Sequence, residues 1–141
     1  MHKLEITINV IIHATEDISK IFESFREVLG VDENDFSVSK VQGHFENPIT
    51  IISLKIIKKS AIQFMDKFLQ LLTNDQKKNI IQEIEGRVVD STLHIRLGKQ
   101  EFVQGNIDFN EKDPIKIKIQ TPIYNKKDTF RVFSEIFQKV N

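Results

Sequence analysis

Leu4-Glu5-Ile6-Thr7-Ile8-Asn9-Val10-Ile11-Ile12-His13 followed by Ala14-Thr15-Glu16-Asp17-Ile18 decides the fold class, because the hydrophobic period changes at the join. Leu4, Ile6, Ile8, Val10 and Ile12 alternate with Lys3, Glu5, Thr7 and Asn9, a period of two that puts one apolar face of a strand on a core. Beyond His13 the period becomes helical: Ile18, Ile21, Phe22, Phe25, Val28 and Leu29 recur at three- and four-residue steps. Thr15 is an N-cap candidate, with Glu16 and Asp17 suited to the positive end of the helix dipole, and Gly30 is a C-terminal stop. The pattern predicts a strand feeding a helix over Glu16–Leu29.

Working outward, Phe36 and Val38 open a second strand, and Gly43-His44-Phe45-Glu46-Asn47-Pro48 reads as a presented connection. Ile49 to Lys58 forms a third strand, apolar on both sides and therefore expected to be central. Ser60 is expected to cap a helix bearing Ile62, Phe64, Met65, Phe68, Leu69 and Leu72. Thr73-Asn74-Asp75-Gln76 restarts a helix that Gly86 ends. Leu93, Ile95 and Leu97 alternate with His94 and Arg96 in a fourth strand; Ile115, Ile117 and Ile119 alternate with Lys116, Lys118 and Gln120 in a fifth, closed by Pro122. Phe130, Val132, Phe133, Ile136, Phe137 and Val140 stripe a terminal helix beginning near Asp128. The order implies one α+β domain over residues 1–141, with helices on one face of a largely antiparallel sheet and a split βαβ core.

Composition narrows the chemistry. Cysteine is absent, which excludes disulfides, thiolate nucleophiles and cysteine-ligated metals. Hydrophobic residues at 40% and charged residues at 28% suit a globular chain, the longest apolar runs are far too short to span a bilayer, and cytoplasm is the default location with no membrane partner. Twenty basic residues balance twenty acidic ones, so any attraction to nucleic acid must be local. The chain has no glycine-rich phosphate loop and no nucleophile elbow, and Glu16-Asp17 is explained by the helix start, so no catalytic residues are expected. His13, His44 and His94 with Glu16 or Asn47 bear metal-ligating groups, but their spacing matches no compact motif; neither metal nor cofactor is expected.

Three segments in order, His13-Ala14-Thr15-Glu16-Asp17, Gly43 to Ile49 and Arg96-Leu97-Gly98-Lys99-Gln100, with Gly105 after them, carry a resemblance. The chain resembles an archaeal family of RNA-binding proteins associated with the exosome, whose fold is like that of the ribosomal protein that binds the 5S RNA. Two positions depart from that family's pattern: Glu46 stands where it carries glycine, and Gly98 where it carries an acidic residue. The resemblance implies a non-catalytic RNA-binding or RNA-processing accessory protein, partnered by RNA and by exosome or ribosome-associated proteins. On this reading Arg96, Lys99, Lys116 and Lys118 contact phosphates, His44 and Asn47 hydrogen-bond bases or sugars, Phe45 stacks, and His13 and Gln100 complete the surface. Phe102 and Tyr124 are further aromatics in expected connections. The alternative is a protein-interaction module that dimerises or docks through the same fold and binds no RNA.

Overall fold

The computed structural model describes residues 3–42 and 47–138. The expected turn residues Gly43, His44, Phe45 and Glu46, and Val140 of the terminal stripe, lie outside them. In chain order the elements are β1 (Glu5–His13), α1 (Ile18–Leu29), a 3-10 turn (Glu33–Asp35), β2 (Ser37–Gln42), β3 (Pro48–Ile57), α2 (Lys58–Leu71), α3 (Asn74–Gln82) and α4 (Ile84–Arg87). There follow β4 (Val88–Val89), β5 (Thr92–Gly98), α5 (Lys99–Val103), β6 (Pro114–Gln120), a second 3-10 turn (Lys126–Asp128) and α6 (Thr129–Phe137). The fold is α+β, with a six-stranded antiparallel sheet in the order β2-β3-β1-β6-β5-β4. The β2–β3 register runs from Ser37↔Ser53 to Gln42↔Pro48. Because β3 is antiparallel to both its neighbours, β1 and β2 point the same way, as a split βαβ unit requires. None of the described helices is long and apolar enough to cross a membrane.

The chain divides into two compact units. One comprises the described parts of Met1–Ile6, Ile56–Ile95 and Lys118–Asn141, and the other Thr7–Lys55 with Arg96–Ile117. In the first unit, α6 packs Phe133, Ile136 and Phe137 inward and touches α3 and α4, whose Ile80 and Ile84 are fully buried. The α3 start carries a capping box: Thr73 Oγ1 accepts from Gln76 N, and Gln76 Oε1 accepts from Thr73 N. In the second unit, α1 buries Ile21, Phe25 and Leu29 and ends at Gly30, whose left-handed φ of 68° frees its N–H to close on Arg26 O. Phe25 is the hub of this core, with ring centroids 4.9 Å from Phe36 and 4.8 Å from Phe102.

Several local expectations need correction. The α1 cap is Asp17, whose carboxylate accepts from Ser19 N, so Thr15 is left in the preceding turn. Helix α2 begins before Ser60 and has no side-chain cap. Gly86 lies inside the short α4 and does not end it, its backbone keeping a negative φ. β3 does lie inside the sheet, between β2 and β1, but of its apolar residues only Ile52 is fully buried, since its neighbour β2 is an edge strand whose side chains are all exposed. Phe102 is not in a connection: it lies in α5 and is completely buried.

Candidate nucleic-acid interface

Strand alternation sorts the candidate residues by face. In the second unit the even residues Ile8, Val10 and Ile12 of β1 are buried, as are Leu97 of β5 and Ile115 and Ile117 of β6. Their neighbours, Asn9, Ile11 and His13 of β1, Arg96 of β5 and Lys116 of β6, therefore share the opposite, open face of adjacent strands. Lys116 is exposed and forms no ion pair with the described residues. Arg96 is half-buried, its Nε 3.5 Å from the exposed Glu111 carboxylate, a contact of small worth that a stronger anion can displace. Gln100 and Asn47 are exposed. Lys118 continues the β6 alternation and is half-buried; it and His94 belong to the first unit. His44 and Phe45 lie outside the described residues.

Lys99 departs from the surface role expected of it. It is the first residue of α5, only 3% exposed, and its ammonium is spent on three acceptors. Nζ donates to Ile11 O at 2.6 Å, to Glu16 Oε1 at 2.9 Å and to Asp113 Oδ2 at 3.0 Å, which uses all three of its N–H bonds. A phosphate has no access to it, and the expectation of a Lys99–phosphate contact is corrected accordingly. An ammonium is buried only when paired and hydrogen-bonded, and here both conditions hold.

Both acidic acceptors are themselves tied. Glu16 Oε1 also accepts from His13 N at 2.8 Å, while Glu16 N donates to His13 O at 2.9 Å, closing the turn that ends β1. Asp113, in the left-handed region at φ 48°, sets its Oδ1 3.1 Å from His13 Nε2. Partial burial alone would raise the Asp113 carboxyl, but the hydrogen bonds from Lys99 and His13, with the charges of both, outweigh it and hold the carboxyl below its ordinary value. The knot thus joins the end of β1, the start of α5 and the residue before β6. A second tie doubles it: the segment after α5 returns along β5, with Gly98 N donating to Asp108 O, Asn110 N to Arg96 O, and Leu97 bridging Phe109. At Gly98 the backbone has an ordinary φ of -65°, and a Cβ there would displace the end of the flexible Glu101 side chain and sit close to Asn110 Cβ, so a larger residue requires Glu101 to turn aside.

His13, Glu16 and Asp113 bring metal-ligating atoms within 4.8 Å of one another. The cation the geometry supplies to the two carboxylates is the Lys99 ammonium. The expected grouping with His44 and His94 does not describe this cluster. Sequence reading missed Asp113, an ordinary acid in a polar loop whose one local signal is the proline after it.

The profile of a family described as "RNA binding" matches residues 5–121. An RNA-binding protein of Pyrococcus abyssi is 30% identical over 129 residues, covering 86% of this chain and 84% of that one. An uncharacterised protein of Methanocaldococcus jannaschii is 31% identical over 128 residues, covering 83% and 86%. Among solved structures, a DUF54 protein from Archaeglobus fulgidus superposes with a TM-score of 0.81 at 27% identity, covering 95% of this chain and 99% of its own. A DUF54 protein from Methanothermobacter thermautotrophicus superposes at 0.77 with 23% identity, covering 97% and 99%, a likeness of fold.

Proposed function

This chain belongs to the RNA-binding family whose profile spans residues 5–121, and from that membership we propose that it binds RNA as a non-catalytic accessory to RNA processing. The observation that carries the reading beyond membership is the sheet face of the second unit, where the half-buried Arg96 and the exposed Lys116 stand on adjacent strands, opposite the buried face. Arg96, Lys116 and Lys118 meet phosphates. His13, Asn47, Gln100 and His44 offer hydrogen bonds to bases or sugars, and Phe45 stacks. Lys99 acts from beneath as a positioning residue: it fixes the ends of the strands that carry Arg96, Lys116 and His13. Phosphate contacts set affinity and register, whereas the polar side chains read what lies between them.

The finer parts of the reading, a likeness to the ribosomal protein that binds the 5S RNA and association with the exosome, are supported by the motif resemblance set out above. They point to structured RNA as the first ligand to try. The test is binding of the purified chain to a pool of hairpin and single-stranded RNAs at low salt, with co-purification against exosome subunits as a second arm. Binding at micromolar concentration or tighter is expected; its absence at low salt overturns the reading. Failure of the second arm alone removes the exosome part.

A further inference from the structure

The first unit holds a cleft of about 530 Å³, in the range that takes a small ligand. Its lining includes Lys3, Ile57, Lys58, Asp90, Pro122 and Tyr124, with Ser91 beside Asp90. Three of its residues, Lys58 at φ 55°, Asp90 at φ 49° and Ser91 at φ 64°, are non-glycine residues in the left-handed region. Asp90 and Ser91 are the two central residues of the β4–β5 hairpin turn, which favours positive φ at both, and Lys58 takes the same conformation at the start of α2, so three backbone positions of the lining are fixed in shape. The Asp90-Ser91 turn is braced by Thr121 N, which donates to Ser91 O at 3.3 Å. On the rim, Tyr124 is 96% exposed, so its ring is almost wholly uncovered. Pro122 on one side and Asn125 on the other, whose side chain accepts from Lys127 N, restrain the backbone that presents it.

We propose that this cleft takes one unpaired nucleotide of a bound RNA, its base stacked on Tyr124 and its phosphate between the Lys3 and Lys58 ammoniums. The inference rests on the RNA reading above and adds to it a second contact, in the first unit. Its chemistry follows from the lining. An uncovered aromatic ring beside apolar Ile57 and Pro122 offers a stacking surface that tolerates any base. Two lysines supply point charges for a phosphate. Glu5 and Asp90 are also in the wall, and they favour a single nucleotide over a continuous run of phosphates. Glu5 has an interaction of its own, and Asp90 can accept from a ribose 2′-hydroxyl or an exocyclic amine.

The chain has one tyrosine and no tryptophan, so its intrinsic emission above the phenylalanine band reports Tyr124 alone. The experiment titrates the full chain with hexauridylate, following tyrosine emission corrected against free tyrosine amide, and follows end-labelled hexamer and a fully paired hairpin by anisotropy. Saturable quenching by the hexamer is expected, with no quenching by the hairpin. Tyr124→Ala should weaken hexamer binding about 5- to 150-fold, the worth of one base stack, and Lys58→Gln should weaken it while leaving the quench at saturation. Hexamer binding that neither quenches Tyr124 nor responds to Tyr124→Ala overturns the cleft and leaves the RNA reading standing. Binding of the hairpin with none of the hexamer does the same, and loss of both ligands at low salt overturns both.

Discussion

Replacing Lys99 by methionine, which keeps the stem and deletes the ammonium, tests the claim that this lysine positions rather than binds. The change leaves Ile11 O, Glu16 Oε1 and Asp113 Oδ2 without the donor that lies 2.6, 2.9 and 3.0 Å away. Breaking one side of a fully buried ion pair costs about 3–5 kcal/mol, because a charge is left behind without a partner. The discount here is read from the partners: Glu16 is 17% exposed and stays largely stranded, while Asp113 is 44% exposed and regains water. The expected loss is about 2–4 kcal/mol. For a chain of this size that lowers Tm by about 6–15 °C. Lys116→Met, on the open face, is the matched control and should stay within about 0.5 kcal/mol. Urea and thermal unfolding of both variants provide the assay, with the Lys99→Met/Glu16→Gln double variant giving the coupling. A Lys99→Met loss below about 1 kcal/mol, or one equal to the control, would refute the argument that the knot fixes the strand ends.

Three further predictions bear on the frame and the knot. Because the folded Asp113 carboxyl lies below its ordinary value of 3.8, its contribution is present above that pH and lost as pH falls through the lower folded value. Urea midpoints measured between pH 5 and 2 should show that loss in the parent chain and not in Asp113→Asn. Phe102→Ala, which empties a fully buried site against Phe25, should cost about 3–5 kcal/mol in chemical denaturation. Ser91→Gly relieves a left-handed serine in the two-residue β4–β5 turn and should raise stability by up to about 1 kcal/mol; a lower Tm would contradict it.

Local patterns carried the frame. The alternation of β1, β5 and β6 and the stripe of α1 with its Gly30 stop are written in neighbouring residues, because burial on one face imposes period two on a strand and 3.6 on a helix. The misses have physical reasons. Helix α5 is five residues long, too short to show a period, and Val88–Val89 is a strand of two residues fixed by its pairing with β5. Ser60 and Thr15 are competent caps that went unused, since helix ends are settled by packing as well as by capping chemistry. The knot was illegible for a different reason. Lys99 reads as a surface lysine, and its partners Glu16 and Ile11 stand 83 and 88 positions away, so only the tertiary fold brings them within reach. What could be read was that Glu16 follows directly on β1; its use as an acceptor for His13 N and Lys99 could not.

The measurement that bears most directly on the central claim is the salt dependence of RNA affinity for the parent chain and for Arg96→Ala/Lys116→Ala. Each lost phosphate contact lowers the slope of log K against log salt by about one unit, so the account predicts a fall of about two with the fold intact. An unchanged slope, or no RNA binding by the parent chain at low salt, would contradict it.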